Sequence, residues 1–259
     1  QTTMRWASAH GIPVVPRGAG SGLAGGASAV DGGIVLCLER MRAVEIDPDS
    51  RVAVVEPGAF NAEVKAAAAE HGLWYPPDPS SFEICSIGGN IATNAGGLCC
   101  VKYGVTTDYV LGLDVVLADG TLLRMGGKRI KDVAGLSLMK LFVGSEGTLG
   151  IVTRAVLRLV PAHGARSTLV ALFPTSRAAA EAVVAMGRTV RACLVEFMDQ
   201  RAIEVVDDFL GMGLDRSAGG LLVVQSDAPG PAREVEMAEV ERCAQAAGAT
   251  ECYRTDDPD

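Results

Sequence analysis

Over the first 160 residues, apolar positions fall in short runs separated by glycine-rich and polar stretches. After that they settle into a regular strand–helix alternation. The runs Ile12–Val15, Gly33–Leu38 and Val52–Glu56 are too short for helices and rich in β-branched residues, so they read as strands. "QTTMRWASAHG" has the spacing of an amphipathic helix tail closed by Gly11. "NAEVKAAAAEHG" is a second helix, which Asn61 can cap and Gly72 can close. Residues 73–104 form one long irregular stretch, and a loop of that length inside a domain is usually functional. "YVLGLDVVLADGTLLRM" reads as a hairpin turning at Asp119-Gly120, and "GTLGIVTRAVLRLVP" as a long strand ended by Pro161. Beyond Pro161 the pattern is βαβαβαβ, from "TLVALFP" to "ATECYR". It predicts a second, α+β domain with helices on one face of a sheet and a boundary at 161–166.

Composition narrows the class. The chain has 259 residues, 49% hydrophobic and 21% charged, which suits a globular protein with a sizeable core. A net charge of −8 with no basic stripe excludes nucleic acid as an expected partner. No apolar run reaches the length of a membrane span, and no signal peptide is visible. Seven cysteines without paired spacing and three scattered histidines predict reduced thiols and no metal site. His10 and His71 fall at helix ends and His163 in the linker, so all three are expected on the solvated surface. A chain that starts inside a helix and ends in "RTDDPD" reads as a fragment.

The 31 glycines cluster in three places. Gly20 to Gly25 matches G-x-G-x-x-G, but Asp31-Gly32-Gly33 and a strand follow, leaving no room for the helix of a dinucleotide-binding crossover. The first lysine is Lys65, which excludes a P-loop here. A strand–loop–strand whose successive backbone amides face an anion remains, with Arg17 as a nearby positive charge. "SIGGNIATNAGG", Ser86 to Gly97, adds Asn90, Thr93 and Asn94, whose amides and hydroxyl suit the edge of a neutral heterocycle. "GSEGTLGI" carries Glu146, which suits ribose hydroxyls or backbone amides better than a pyrophosphate. Taken singly, each loop could be a tight turn at a sheet edge. Three together suit an extended dinucleotide.

In order and spacing, "PRGAGSGLAGG", "PPDPSS", "SIGGNIATNAGG", "KYG" and "GSEGTLGIVT" resemble the FAD-binding domain of the vanillyl-alcohol oxidase superfamily, the PCMH type. The resemblance is to its branch of FAD-linked D-2-hydroxyacid dehydrogenases, which includes D-lactate dehydrogenase, the glycolate oxidase flavin subunit and D-2-hydroxyglutarate dehydrogenase. It implies an α+β fold. Residues 1–161 would be the FAD-binding domain, lacking its first strand, and 162–259 part of a ferredoxin-like substrate or cap domain. It further implies that Arg17, Gly18, Ala19, Gly20, Ser21 and Gly22 cradle the FAD pyrophosphate, helped by Pro57 and Gly58. Pro77, Asp78 and the stretch containing Ser86, Ile87, Gly88, Gly89, Asn90, Thr93 and Asn94 would line the isoalloxazine, with Gly96, Gly97 and Tyr103 nearby. Glu146, Gly150 and Ile151 would meet the ribose and adenine.

The implied reaction is oxidation of a D-2-hydroxy acid of the lactate, glycolate or 2-hydroxyglutarate type to the 2-oxo acid. A base takes the hydroxyl proton while the C2 hydride passes to flavin N5. Electrons would then leave to a quinone, a cytochrome or a partner flavoprotein. The implied location is the cytoplasm, or the membrane periphery through that partner. Relatives that hold FAD covalently use a histidine in the first glycine loop, which this loop lacks, so noncovalent FAD is expected. Relatives often carry an arginine before the cysteine at Cys99-Cys100, and here the adjacent thiols are expected to be packed rather than a redox pair. The family's substrate-binding arginine and its histidine-rich motif, which carries the base, have no counterpart in 1–259, so no catalytic residue is assigned. Two alternatives stay open: a flavin reductase on the same fold, and a noncatalytic FAD-binding fragment or subunit.

Overall fold

The computed structural model describes residues 1–256, so the last three residues of the expected 162–259 domain lie outside the described part. The elements run α1 (Thr2–His10), β1 (Val14–Arg17), β2 (Ile34–Cys37), β3 (Val44–Asp47), β4 (Val52–Val55), α2 (Asn61–Ala69), β5 (Leu73–Trp74), α3 (Ile87–Thr93) and α4 (Cys100–Tyr103). They continue with β6 (Val110–Val116), β7 (Leu122–Gly126), α5 (Met139–Phe142), β8 (Ile151–Arg158) and β9 (Val160–Pro161). Last come β10 (Ser167–Phe173), α6 (Ser176–Met186), β11 (Leu194–Asp199), α7 (Gln200–Leu210), β12 (Gly220–Ser226), α8 (Pro231–Ala246) and β13 (Glu251–Thr255). Two compact units result. The first is Gln1–Gly97 with Gly104–Ala162; the second is Leu98–Tyr103 with the chain from His163 onward.

In the first unit β1 and β2 pair in parallel, Val14 opposite Ile34 through Arg17 opposite Cys37. Parallel neighbours need a long crossover, and here residues 18–33 supply it as a glycine-rich loop without a helix. A five-stranded antiparallel sheet, order β3-β4-β8-β6-β7, forms the body of this unit. All four residues of β4 are buried, which explains its unbroken "VAVV" run. The β6–β7 hairpin turns at Asp119-Gly120 as expected, with the Asp119 carboxylate accepting from the Thr121 amide at 2.8 Å.

Three expectations need correction here. Residues 73–104 are not irregular throughout, since they contain β5, α3 and α4. The glycines in "SIGGNIAT" disfavour a helix by propensity, yet α3 forms because the Ser86 hydroxyl caps it, accepting from the Gly89 amide at 3.3 Å. Asn61 does not cap α2. Phe60 is the N-cap, its amide donating to Glu63 Oε2 at 2.8 Å, and Asn61 is the first, fully buried helical residue. Strand β3 was missed altogether because "VEID" is short and half polar.

The second unit is a four-stranded antiparallel sheet, order β11-β12-β10-β13. This is the ferredoxin-like order with α7 inserted between its second and third strands. The sequence predicted helices on one face, but α7 covers the other. Leu169, Ala171 and Phe173 pack with α6 and α8 through Ala182, Met186, Met237 and Val240. Leu172 and Leu221 pack instead with Ile203 of α7. Because β10 is apolar at successive positions, both of its faces require cover.

Phe173→Ala should therefore cost about 3–5 kcal/mol in urea unfolding of the second unit, since its side chain is fully buried. Phe209→Ala, at an 87% exposed position on α7, should stay within about 0.5 kcal/mol.

Candidate functional site

Three loops of the first unit surround a cleft of about 470 Å³. Its wall is made of Gly18 to Ala24, Gly26 and Ala27 from the β1–β2 crossover, Pro79, Ser81, Cys85 and Ser86 from the approach to α3, and Gly89 to Ala95 in part. Glu146 and Gly147 complete it. Helix α3 organises the cleft from both ends. Ser86 Oγ, buried, also accepts from the Ala19 amide at 3.1 Å, pinning the first loop to the helix start. The approach is so close that a Cβ on Gly18 would lie 2.1 Å from Ser86 Oγ. At the other end, the amides of Gly144 and Glu146 each donate at 2.8 Å to the carbonyls of Ile91 and Ala92. The third loop thus satisfies acceptors that a helix terminus leaves open. Glu146 sits at φ 53°, and its Oε2 lies 3.5 Å from the position a Cβ of Gly26 would take, so the first and third loops meet there.

The remaining sequence candidates fall into several places. Gly20 has φ 71° at the loop turn, with Ser21 and Gly22 beside it on the wall. Arg17 lines an adjoining groove of about 280 Å³ with Ala19, Gly20, Gly22 and Glu39. Pro57 and Gly58 are both buried; the Gly88 amide of α3 donates to the Pro57 carbonyl at 2.8 Å, whereas Gly58 packs on the segment after β2, its amide donating to the Met41 carbonyl at 2.7 Å. Ile87 is core. The Pro77 carbonyl accepts from Asn61 Nδ2 at 3.1 Å, and Gly97 lies against the Asp78 carbonyl, with Gly96 exposed beside it. Gly150 and Ile151 line a separate hollow of about 240 Å³ with Ile12, Val14 and Thr148.

The polar side chains of the middle loop also bond within the protein. Asn90 Oδ1 accepts from Asn61 Nδ2 at 3.0 Å, and its Nδ2 donates to Cys85 Sγ at 3.1 Å. Asn94 Oδ1 accepts from the Thr107 amide at 2.9 Å. Both amides brace the loop. Thr93, on the wall, is exposed and donates to the Gly89 carbonyl at 3.0 Å. Asn61 had no motif to announce its role in this network. Leu23, fully exposed on the wall, was hidden inside the glycine run.

Tyr103 lies in the second unit, where its hydroxyl donates to Asp227. Lys102 Nζ donates to the other oxygen of that carboxylate. His163 Nδ1 stands 3.7 Å from Asp227 Oδ2 and 3.5 Å from the Tyr103 hydroxyl. His163 is therefore half-buried in a cluster rather than a solvated linker residue, whereas His10 and His71 are exposed as expected. Burial lowers the His163 pKa against the pull of Asp227. Burial alone would raise Asp227, but the hydrogen bonds from Lys102 and Tyr103 outweigh it and hold the carboxyl below its ordinary range. Burial also pushes the nearby Cys193 thiol up to about 11, so that thiol stays protonated. Cys99 is buried and packed.

The comparisons decide the family. A family model for an FAD binding domain matches residues 1–126, and one for the C-terminal domain of FAD linked oxidases matches 162–259. The chain belongs to the FAD-linked oxidases. Its relatives place it in the FAD-linked D-2-hydroxyacid dehydrogenase branch. It is 47% identical over 237 residues to glycolate oxidase subunit GlcD of Bacillus subtilis, covering 90% of this chain and 50% of that protein. It is 40% identical over 253 residues to D-lactate dehydrogenase of Archaeoglobus fulgidus, covering 96% and 55%. It is 40% identical over 207 residues to D-2-hydroxyglutarate dehydrogenase of Xanthomonas citri pv. viticola, covering 80% and 44%. The chain thus spans about half the length of the curated relatives it matches. A solved alkyldihydroxyacetonephosphate synthase shares the fold, with a TM-score of 0.82 over 99% of this chain and 50% of that one at 22% identity.

FAD is the cofactor of this family, and the cleft fits it. Main chain and mostly small side chains from three loops converge on one space, and Glu146 is the one carboxylate on its wall among the described residues.

The stability difference between the wild type and Asp227→Asn should depend on pH. The folded-state pKa of Asp227 is depressed, so its contribution is complete above the unfolded value near 3.8 and is lost as pH falls through the lower folded value. Melting temperatures from neutral pH down to about 3 should therefore converge for the two proteins only at the acid end.

Proposed function

We propose that this chain holds FAD noncovalently and serves the oxidation of a D-2-hydroxy acid, of the lactate, glycolate or 2-hydroxyglutarate type, to the 2-oxo acid. The observation that carries the reading is the three-loop cleft organised by α3, on a chain related throughout to proteins named for such acids. Among the described residues no histidine lies on the cleft wall to form a covalent link. The amides of residues 20–22 would face the diphosphate, with Arg17 in the adjoining groove as counter-charge. Ser86 holds the start of that loop by accepting from the Ala19 amide. Thr93 and Leu23 would lie against the ring system, and Glu146 would accept from ribose hydroxyls. Bound FAD would supply the two-electron acceptor for the C2–H bond of the acid. The residues' part is to align that bond with the acceptor and to exclude competing water. Turnover further requires an electron acceptor such as a quinone, a cytochrome or a partner flavoprotein. Seven cysteines without paired spacing support a reducing cytoplasmic setting.

Anaerobic addition of D-lactate, glycolate or D-2-hydroxyglutarate to the flavin-loaded protein tests the reading directly. Bleaching of the visible flavin band by one of these acids is expected. Bleaching by NADPH alone would point instead to a flavin reductase.

Acid or heat should release a yellow cofactor into the supernatant. Colour retained in the precipitate would show a covalent link.

Gly20→Asp should weaken FAD binding by at least about thirtyfold, equivalent to about 2 kcal/mol. The new side chain must adopt a left-handed backbone at φ 71° and bring a carboxylate to the diphosphate position. Fluorescence titration measures the loss, and unchanged affinity would remove this loop from the diphosphate site.

A further inference from the structure

A buried acceptor in the first unit meets no donor. Asn61 is wholly buried, and its Oδ1 has no hydrogen-bond partner among the described residues. Orphaned polar atoms of this kind are few in folded proteins and call for a reason. Here the reason lies at the other end of the same amide. Asn61 Nδ2 donates to the Pro77 carbonyl at 3.1 Å and to Asn90 Oδ1 at 3.0 Å. Turning the amide over would set its oxygen against two other oxygens. The Pro77 carbonyl can only accept, so it fixes which way the Asn61 amide lies.

That direction propagates. With Oδ1 turned to Asn61, Asn90 presents Nδ2 to Cys85 and donates to its Sγ at 3.1 Å. The sulfur is then an acceptor, and its own proton points elsewhere. Cys85 is 4% exposed and lies on the cleft wall with Asn90. Among the described residues no acceptor takes the Cys85 proton. Main-chain bonds already hold the segments themselves. The Asn61 amide donates to the Cys85 carbonyl and the Ala62 amide to that of Phe82, both at 3.0 Å. What the Asn61 side chain adds is direction.

We propose that Asn61 is a positioning residue for the cofactor cleft: through Asn90 it makes the Cys85 sulfur an acceptor, so that the Cys85 S–H is offered to an acceptor atom of the bound ligand. The ligand arm rests on reading the cleft as the FAD site. The direction of the relay from Pro77 to Cys85 stands on the protein alone.

The test uses the whole chain, with and without FAD, as wild type, Asn61→Asp, Cys85→Ala and Cys85→Ser. Infrared difference spectra against Cys85→Ala isolate the Cys85 S–H stretch among the seven thiols. Without flavin, the wild-type band should stand at the frequency of a thiol proton with no acceptor, and FAD should move it lower. In Asn61→Asp the new carboxyl accepts toward Asn90 in either protonation state, and when protonated it also donates to the Pro77 carbonyl. Asn90 then turns over and its Oδ1 takes the thiol proton. The flavin-free band should therefore already lie low, and FAD should not move it. The FAD dissociation constant should rise by about threefold in both Asn61→Asp and Cys85→Ala, as for one neutral hydrogen bond. Cys85→Ser, which keeps a donor, should bind as the wild type does. A low band in the flavin-free wild type, a wild-type band in Asn61→Asp, or a wild-type band that bound FAD leaves in place overturns the proposal. Should Asn61→Asp fail to fold, the flavin-free wild-type band decides the direction of the relay, and Cys85→Ser against Cys85→Ala decides the ligand arm. Failure of the wild type to bind FAD would overturn the reading of the cleft, while the flavin-free bands would still decide the relay.

Discussion

The cleft depends on the Ser86 hydroxyl. That oxygen accepts one hydrogen bond from its own helix, at Gly89, and one from a loop sixty-seven residues earlier in the chain, at Ala19. The first bond starts α3 in a sequence too rich in glycine to hold a helix by propensity. The second fixes the β1–β2 crossover against it. With α3 in place, its C-terminal carbonyls receive the third loop. Segments far apart in sequence therefore converge because one short helix offers a cap at one end and open acceptors at the other. The glycine at position 18 is the steric condition for this, since no side chain fits between the loop and the serine.

Part of the wall is braced from within. Asn90 and Cys85, both on the wall, form a buried chain of polar groups with Asn61, and the Pro57 carbonyl receives the Gly88 amide of α3. Two amides of suitable chemistry in the middle loop thus bond within the protein. Much of what faces the cleft is main chain and small side chains, with Leu23, Asn90 and Glu146 as larger exceptions.

Much of this was legible in the sequence. The three glycine clusters sit where the loops sit, and Asp119-Gly120 turns the hairpin as its alternating pattern required. The strand–helix order after Pro161 was also legible. The missing parts have physical causes. Local pattern could not show that α3 is helical, because its stability comes from a cap and from docking. Nor could it show that Asn61 faces inward, because a helix-capping asparagine and a buried one look alike at the start of a helical run. The side of the sheet taken by α7 could have been read from "TLVALF", which is apolar on both faces. That His163 and Tyr103 converge on Asp227 was invisible, since Tyr103 lies 60 residues of chain from His163 and 124 from Asp227.

A cradle assembled from peptide groups has one property that a cradle of side chains lacks. Amide N–H and C=O groups do not ionise in the range where proteins stay folded, and their partial charges are fixed by the fold. Near the cleft, Arg17 and Glu39 in the adjoining groove and Glu146 on the wall carry formal charge. The main-chain part of the wall is therefore indifferent to acidity. Whatever pH sensitivity the protein shows comes from its ionisable side chains, the gripped carboxylate of the second unit among them. The fixed dipoles of the wall and the titrating groups around it are thus separable, and each can change without disturbing the other.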